Sequence, residues 1–277
     1  ESWMISAREI AINNSKQQGF AKHVFFSVRE IPVFYFPFLS FPIGDQRKTG
    51  FLPPRFNDGL SIPYYFNLAP NQDATVALRY IEDHGLQQQT EYRYLTPHWR
   101  GIFFLDYLDE DEDTKAKRYY AQSNISGQYR HWLGLIDYKE VSDYDYFASL
   151  GSRVNNSNIT HLERKVEWSY INRNLTVNTK AQKFQTIDPN IPRDNRPYRL
   201  LPQVKLNYAK PLLNSGQFSL ISQWDNFDKD VDKSNTNVNY IPQPNSQRFH
   251  LQPQVSARWQ TNYGYLSPQM RLYYTSY

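Results

Sequence analysis

The sequence predicts an all-β protein, and three observations support that prediction. Hydrophobic and polar residues alternate with a period of two along many segments, which is the side-chain period of a strand. Proline occurs 17 times in the 277 residues, often inside apolar runs where it prevents a helix. Short turns and long polar connections separate the alternating segments. Together these features predict long antiparallel strands joined by hairpins.

Composition restricts the functions that the chain can have. It contains 22 tyrosines, 17 phenylalanines and 6 tryptophans but has a mean hydropathy of -0.72, so much of its apolar surface belongs to amphipathic rings that suit interfaces. No stretch approaches the roughly 18 consecutive apolar residues of a transmembrane helix. Because the chain lacks cysteine, disulfides and thiolate catalysis are excluded within it. Its net charge of +4 is dispersed rather than gathered into a stripe, so no nucleic-acid partner is predicted.

The N-terminal segment predicts a hairpin followed by a third strand. Residues 2–13 and 20–28 have the pattern of strands around a polar turn, and apolar residues occur on both faces of the hairpin. Two interpretations stay open here: both faces are buried in a β-sandwich core, or one face meets a lipid chain. The candidate lining residues of a lipid-binding groove are Ile10, Ile12, Val24, Phe26, Val33 and Tyr35.

A junction follows in the run IPVFYFPFLSFPIGDQRKTGFLPP, at residues 31–54. Its prolines forbid a helix, because each lacks a backbone donor and restricts the residue before it. At Gly44 the run changes from aromatic to charged, which predicts a boundary between a module at 1–44 and a larger domain at 45–277. The junction residues are Pro37, Pro42, Gly44, Asp45, Arg47 and Lys48.

Beyond Gly50 the alternation becomes regular. Between Leu162 and Tyr170 one parity is apolar apart from Arg164 and the other is ionic, and the same alternation predicts a last strand from Met270 to Tyr274. A soluble sandwich would show this pattern too. Connection lengths favour a membrane barrel, because short turns near 70–73, 97–101, 128–130, 172–174, 210–216 and 260–264 are separated by connections that include long polar loops at 143–161, 186–199 and 226–247. We expect about thirteen such strands; because a closed single-chain barrel normally has an even number, we expect the remaining strands in sequence outside these residues.

Two segments carry a resemblance to a known family. VFYFPFLSFPIGDQRKTGFL and YYFNLAPNQDATVALRY are similar to the LPS-assembly protein LptD family, and weaker similarity continues through PYRLLPQVKLNY and NYGYLSPQMRLY. The resemblance implies the C-terminal end of a periplasmic β-jellyroll, followed by the N-terminal half of a large transmembrane β-barrel in the bacterial outer membrane. It implies a non-enzymatic translocon that inserts lipopolysaccharide into the outer leaflet without a cofactor.

The resemblance also implies partners and a gate. Family members hold the lipoprotein LptE inside the barrel and connect through the jellyroll to the periplasmic bridge protein LptA. They use two prolines in the first two barrel strands for a lateral gate, and Pro54 and Pro63 stand at the matching positions after GFL and before YYFNLAPN. In such a gate the first strand parts from the last so that lipid leaves sideways. A proline deletes a ladder donor, so a seam that contains it costs less to open.

Other functions remain as alternatives. A passive outer-membrane porin would share the alternation but would not need the proline-aromatic junction, and a soluble carbohydrate-binding β-sandwich would dissolve without detergent. No Gly-x-Ser-x-Gly element and no glycine-rich phosphate loop occurs, so an enzyme is not predicted. The six histidines are scattered without a metal-ligand pattern, so no metal site is predicted.

Overall fold

Strands make up most of the computed structural model of this chain, which describes residues 3–15, 17–28, 31–43, 47–56, 59–151, 159–213, 215–229 and 245–277. The strands are β1 Trp3–Asn13, β2 Gln18–Val28, β3 Ile31–Pro42, β4 Gly50–Phe51, β5 Leu60–Ala69, β6 Gln72–Ile81, β7 Gly85–Leu95, β8 Trp99–Leu108, β9 Arg118–Tyr129, β10 Trp132–Val141, β11 His161–Ile171, β12 Leu175–Thr186, β13 Arg199–Pro211, β14 Gly216–Asp228, β15 Ser246–Ala257, β16 Trp259–Thr261, β17 Gly264–Leu266, β18 Gln269–Arg271 and β19 Tyr274–Ser276. One α-helix, α1 Tyr146–Leu150, and one 3-10 turn, Arg193–Asn195, complete the described elements. Within these ranges no helix has the length and apolar character needed to span a membrane.

The chain divides into two compact units. The first comprises Glu1–Tyr94 and Phe104–Lys117, and the second comprises Leu95–Phe103 and Arg118–Tyr277. In the first unit, β1, β2 and β3 form a three-stranded antiparallel sheet. Strands β4, β5, β6 and β7 of the same unit form a separate antiparallel ladder.

The second unit continues as an antiparallel meander. Strands β9 to β15 pair in chain order, both β18 and β19 pair with β15, and β16 and β17 form a small hairpin of their own. None of these sheets is closed in the described residues. The all-β prediction is confirmed.

Short and long connections lie where the alternation predicts them. Two residues join β5 to β6, and two join β9 to β10. The long connections join β10 to β11, β12 to β13 and β14 to β15, at residues 142–160, 187–198 and 229–245. Consecutive antiparallel strands run in opposite directions. The long connections of the second unit therefore all leave from the same end of its meander, and the short ones leave from the other end.

The two faces of each ladder differ in an unusual way. In the first unit, Leu78 and Tyr80 are half exposed on one face of β6, while Asp73 and Arg79 are buried on the other. In the second unit, Val166 and Trp168 are 50% and 45% exposed, and they alternate with the ionic residues of β11. We call these the apolar and polar faces of each ladder. Exposed apolar and buried polar side chains reverse the usual arrangement of a soluble domain.

The polar face of the second unit is a hydrogen-bonded network. Asp225 is fully buried and accepts hydrogen bonds from Gln203, Gln223 and Arg248, its neighbours on β13, β14 and β15. The Nδ2 of Asn124 likewise donates to Asp137 at 2.9 Å across β9 and β10. A buried carboxylate without partners would raise the free energy of the folded state. The hydrogen bonds of this network offset that cost, so charged side chains can be buried on the polar face.

The last predicted strand is interrupted. Instead of one strand through Met270 and Tyr274, the structure has β18 and β19, which continue one register against β15. Between them the backbone N–H of Leu272 donates to the carbonyl of Pro253 at 3.1 Å. Since Pro253 has no N–H to return, the ladder breaks at this pair. The sequence prediction of a continuous strand is therefore wrong at residues 272 and 273.

Candidate functional site

The first unit contains an apolar groove of about 350 Å³ between the three-stranded sheet and the residues that follow β4. Its lining consists of Ile5, Ala7 and Ile10 from β1, Ala21, Val24 and Phe26 from β2, Phe36, Leu39 and Phe41 from β3, and Phe51, Leu52, Pro53 and Pro54. Every lining side chain is apolar, so a ligand there meets hydrocarbon and aromatic surface and no charged group.

A change of parity shapes this lining. On β1 the lining changes from odd to even residues between Ala7 and Ile10, and the same kind of change occurs on β2 and β3. Arg8, His23 and Pro37 lie at the change and are the residues that drop out of the ladder registers there. His23 has a φ of 50°, in the left-handed region. We call Arg8, His23 and Pro37 the kink line.

Three of the six predicted groove residues meet in the lining. Val24 and Phe26 are 1% and 3% exposed there, and Ile10 is largely exposed beside them. Phe26 also stacks on Phe56, with ring centroids 5.9 Å apart. These residues bring β1, β2 and the segment after β4 together around one apolar space.

The other three predicted groove residues, Ile12, Val33 and Tyr35, lie outside the lining. The Tyr35 ring contacts Phe25 at 5.0 Å, and its hydroxyl lies 2.7 Å from the Nδ1 of His23. Val33 lies at a register shift between β2 and β3, where Phe26 pairs with Phe34 and Ser27 pairs with Pro32. A strict alternation along β3 does not anticipate this bulge.

Several lining residues lie outside the set predicted from the sequence. Phe36 and Phe51 are the main ones, and their ring centroids lie 5.5 Å apart. Phe51 in turn contacts Tyr64 at 4.8 Å, and Tyr64 contacts Phe66 at 4.8 Å. The density of aromatic residues on both sides of the junction was the available signal. This chain of rings leads from the groove to the apolar face of β5.

The two predicted gate prolines lie in and beside the groove. Pro54 is part of the lining, and Pro63 is a fully buried residue of β5. The N–H of Leu52 donates to the carbonyl of Pro63 at 2.9 Å, but Pro63 has no N–H to donate back. The next paired residues are Arg55 and Ser61, which exchange two hydrogen bonds of 2.9 and 2.8 Å.

Pro53, which the sequence analysis did not name, adds to this gap. It follows Leu52 directly and also lacks an N–H, so neither residue between Leu52 and Arg55 can donate to a neighbouring strand. Its position beside Pro54 was the signal that could have identified it. The segment from β4 to β5 is therefore held by few backbone bonds around residues 52–55.

The described part of the junction is anchored at both sides. The Nη1 of Arg47 donates to Asp73 Oδ2 at 3.0 Å, and its Nη2 donates to the carbonyl of Pro70. The Nζ of Lys48 lies 4.8 Å from the centre of the Phe20 ring, on β2. Two predicted junction residues, Gly44 and Asp45, lie outside the described residues. Pro37 belongs to the kink line, and Pro42 ends β3.

Asp73 is the centre of the anchor. Its carboxylate is buried, and Arg93 binds it in a bidentate manner at 2.8 and 3.0 Å. The hydroxyl of Tyr65 donates to it at 3.2 Å. Asn67 completes the anchor, because its Nδ2 donates to the carbonyl of Arg47 at 3.1 Å. The junction is thereby fixed to the turn between β5 and β6.

Glu9 and Lys22 form an exposed ion pair on β1 and β2. The Nζ of Lys22 lies 2.9 Å from the carboxylate of Glu9, next to the kink line. This hydrogen bond, with the charge of Lys22, holds the pKa of the Glu9 carboxyl below its usual range. Among the described ranges, no group of three or more histidine, aspartate or glutamate side chains is arranged to hold a metal ion.

Comparison with known proteins adds the family. Residues 116–277 match the family model described as LptD, LPS transport system D. Over 286 residues the chain is 35% identical to the LPS-assembly protein LptD of Aliivibrio fischeri, an alignment that covers 100% of this chain and 35% of that protein.

Two further relatives give the same picture. The LPS-assembly protein LptD of Hahella chejuensis is 34% identical over 290 residues, covering 99% of this chain and 36% of that protein. The protein of that name in Pseudomonas aeruginosa is 30% identical over 305 residues, covering 100% of this chain and 33% of that protein. The chain thus spans about a third of the length of these relatives. The family match covers more than half of its residues, and the chain belongs to the LptD family.

Proposed function

We propose that this chain is part of a translocon that delivers lipopolysaccharide to the outer leaflet of the bacterial outer membrane. The observation that carries the proposal is the groove lined by apolar side chains alone, with a chain of aromatic rings leading from it to the exposed apolar face of β5. Acyl chains are the apolar part of lipopolysaccharide. A lining that offers them dispersion contacts and no hydrogen bonds suits them and excludes sugar.

The polar part of lipopolysaccharide follows a different surface. The polar faces of both ladders carry hydrogen-bonded side chains such as Asp73, Asp225 and Arg248, which favour contact with water and sugar hydroxyls. The apolar faces carry exposed residues such as Leu78 and Val166, which favour hydrocarbon. This division supports a barrel whose outside meets lipid and whose inside is wet.

The proposal includes the domain division at 1–44 and 45–277. Residues 1–44 are the end of a periplasmic β-jellyroll, and residues 45–277 are the first part of the outer-membrane barrel. Among the described residues, β1 and β3 each pair with β2 alone, so each has an edge at which further jellyroll strands can pair. LptA docks through this module in the periplasm, and LptE occupies the barrel, as the family membership suggests.

The lateral gate is the last part of the proposal. Pro54 and Pro63 lower the number of backbone bonds that hold the first two barrel strands, and Pro53 lowers it further. Each missing bond is worth about 0.5 to 1.5 kcal/mol net, which lowers the cost of moving the first barrel strand away from its neighbours so that it parts from the last strand. Lipid leaves sideways through the opening between the first and last strands.

Aspartate substitutions test the acyl path. In the full-length protein, Ile5→Asp with Ile10→Asp places two charges in the groove lining at positions that are 45% and 63% exposed. The matched control is Met4→Asp with Ala11→Asp, which adds the same charges at neighbouring exposed positions outside the lining. We expect both proteins to reach normal levels. Surface delivery of lipopolysaccharide should fall in the groove variant only, because a charge in an apolar groove opposes passage of hydrocarbon. Equal delivery by the two variants at equal protein levels would contradict the proposal.

A further inference from the structure

A second cavity lies in the second unit, at the end of the meander from which the long connections leave. It has a volume of about 410 Å³, and four of its lining residues are cationic: Arg164, Lys183, Arg196 and Arg199. Asp143 is its only acidic lining residue among the described ranges. The cavity therefore has the charge of an anion site.

Arg164 and Lys183 line the cavity from the apolar face of the meander. Arg164 pairs with Lys183 across β11 and β12, and both share their face with Val166, Ala181 and Trp168. Arg164 and Lys183 are the next residues of that face toward the long connections. A ligand in the cavity is thus placed where the apolar band ends and charge begins, which is the level of lipid headgroups for a strand that spans a membrane.

The acids near the cavity already have partners. Asp143 receives a bidentate pair from the buried Arg118, at 2.9 and 2.8 Å. Asp228 lies 2.8 Å from Arg199, and Glu140 lies 3.4 Å from Arg164. Among the residues that the structure describes, no carboxylate pairs with Lys183 or Arg196. Two positive charges of the lining are left for a ligand.

Two buried hydrogen-bond donors of the cavity lining lack an acceptor. The Nε atoms of Arg196 and Arg199 are buried and have no hydrogen-bond partner among the described residues. A buried donor without an acceptor costs free energy that a bound oxygen anion recovers. Arginine forks and a lysine match the geometry and charge of a phosphate group.

We propose that this cavity binds a phosphate group of lipopolysaccharide at the outer surface of the barrel. The inference rests on the proposed function, because that function supplies the phosphorylated lipid at this level of the membrane. Lys183 and Arg196 supply the charge that no carboxylate neutralises, and the arginine Nε atoms supply donors. The site holds the lipid headgroup after its acyl chains have entered the outer leaflet.

The test uses the full-length protein in lipid nanodiscs with a photo-crosslinker in place of Tyr144, a half-exposed residue of the cavity lining. The probes are lipopolysaccharide, the same lipopolysaccharide after enzymatic removal of its phosphates, and inorganic phosphate followed by 31P NMR. We expect capture of the phosphorylated lipid to exceed capture of the dephosphorylated lipid by roughly tenfold, the effect of losing charge-assisted hydrogen bonds.

A variant pair identifies the cations. Lys183→Gln with Arg196→Gln should reduce capture of the phosphorylated lipid by roughly tenfold. Lys180→Gln with Lys205→Gln, which removes the same charge from the polar face, should leave capture unchanged.

Equal capture of the two lipids, or equal loss in both variants, would overturn the proposal. So would saturable binding of inorganic phosphate without capture of the lipid, which would indicate a site for the free ion. If the groove variants behave as proposed but these results fail, only this inference is wrong; if the groove variants fail, the translocation proposal itself is wrong.

Discussion

At the scale of single residues, His23 decides which side chains meet the groove. Its φ of 50° and its place outside the ladder registers interrupt β2 between Ala21 and Val24, both of which line the groove although they differ in parity. Its ring is held by the Tyr35 hydroxyl at 2.7 Å. A non-glycine residue in the left-handed region is strained by about 1–2 kcal/mol, so this conformation needs support from its surroundings.

Substitution of His23 isolates that backbone effect. His23→Gly and His23→Val both lose the hydrogen bond to Tyr35, but only valine opposes a positive φ. We expect the valine variant of the full-length protein to be less stable than the glycine variant by about 1–2 kcal/mol. Thermal unfolding in detergent measures the difference. Equal stability of the two variants would mean that the kink does not depend on the backbone of residue 23.

Pro63 provides a second prediction at this scale. Pro63→Ala supplies an N–H opposite the Leu52 carbonyl, so one more hydrogen bond of about 0.5 to 1.5 kcal/mol should form between β4 and β5. Hydrogen exchange should find the new amide protected. The control is Pro189→Ala, in the connection between β12 and β13, where the new amide should exchange fast. Fast exchange at residue 63 as well would argue against a seam weakened by this proline.

At the scale of elements, the junction is held to the ladder by one buried carboxylate. Asp73→Asn removes the charge that Arg47 and Arg93 share, although both arginines are half exposed and solvent reduces the effect. We expect a loss of about 1 kcal/mol at the junction and roughly fivefold faster trypsin cleavage after Arg47 or Lys48. Asp109→Asn is the control, because Asp109 is exposed and paired with Lys117 at 3.1 Å. Unchanged cleavage in the Asp73 variant would show that other contacts hold the junction.

The sequence was sufficient to predict the strands because apolar and polar residues alternate with a period of two within each strand. Strand β11 spans the segment whose alternation predicted it, and the short turns lie where the alternation is interrupted. Features that depend on a neighbouring strand were not predictable in this way. The break between β18 and β19 comes from Pro253 on β15, and the exclusion of Val33 from the groove comes from a register shift against β2.

The candidate site shows the same limit. Ile10, Val24 and Phe26 were predicted to share one surface, and the structure brings them together. Phe36 and Phe51 belong to the same groove, but their contact joins residues on either side of a charged elbow, and no local pattern indicates it. The cationic cavity is lined by residues of β11, β12 and two long connections. Its residues are far apart in the sequence, so it could be recognised only after the strands were paired.

At the scale of the whole molecule, the ladders of both units carry exposed apolar side chains on one face and hydrogen-bonded polar side chains on the other. The groove belongs to the same compact unit as β5, whose apolar face its chain of rings reaches. The proposed function uses this separation, with one surface for the acyl chains and another for the sugar. The chain spans about a third of the length of these relatives.

The most direct measurement of the acyl path is photo-crosslinking in cells that express the full-length protein. Crosslinkers at Ile10 and Phe36 face the groove, whereas crosslinkers at Phe25 and Tyr35 lie outside its lining. We expect lipopolysaccharide to be captured at the first pair and not at the second, and the captured fragment to be an acyl chain. Equal capture at all four positions, or capture at Phe25 and Tyr35 alone, would contradict it.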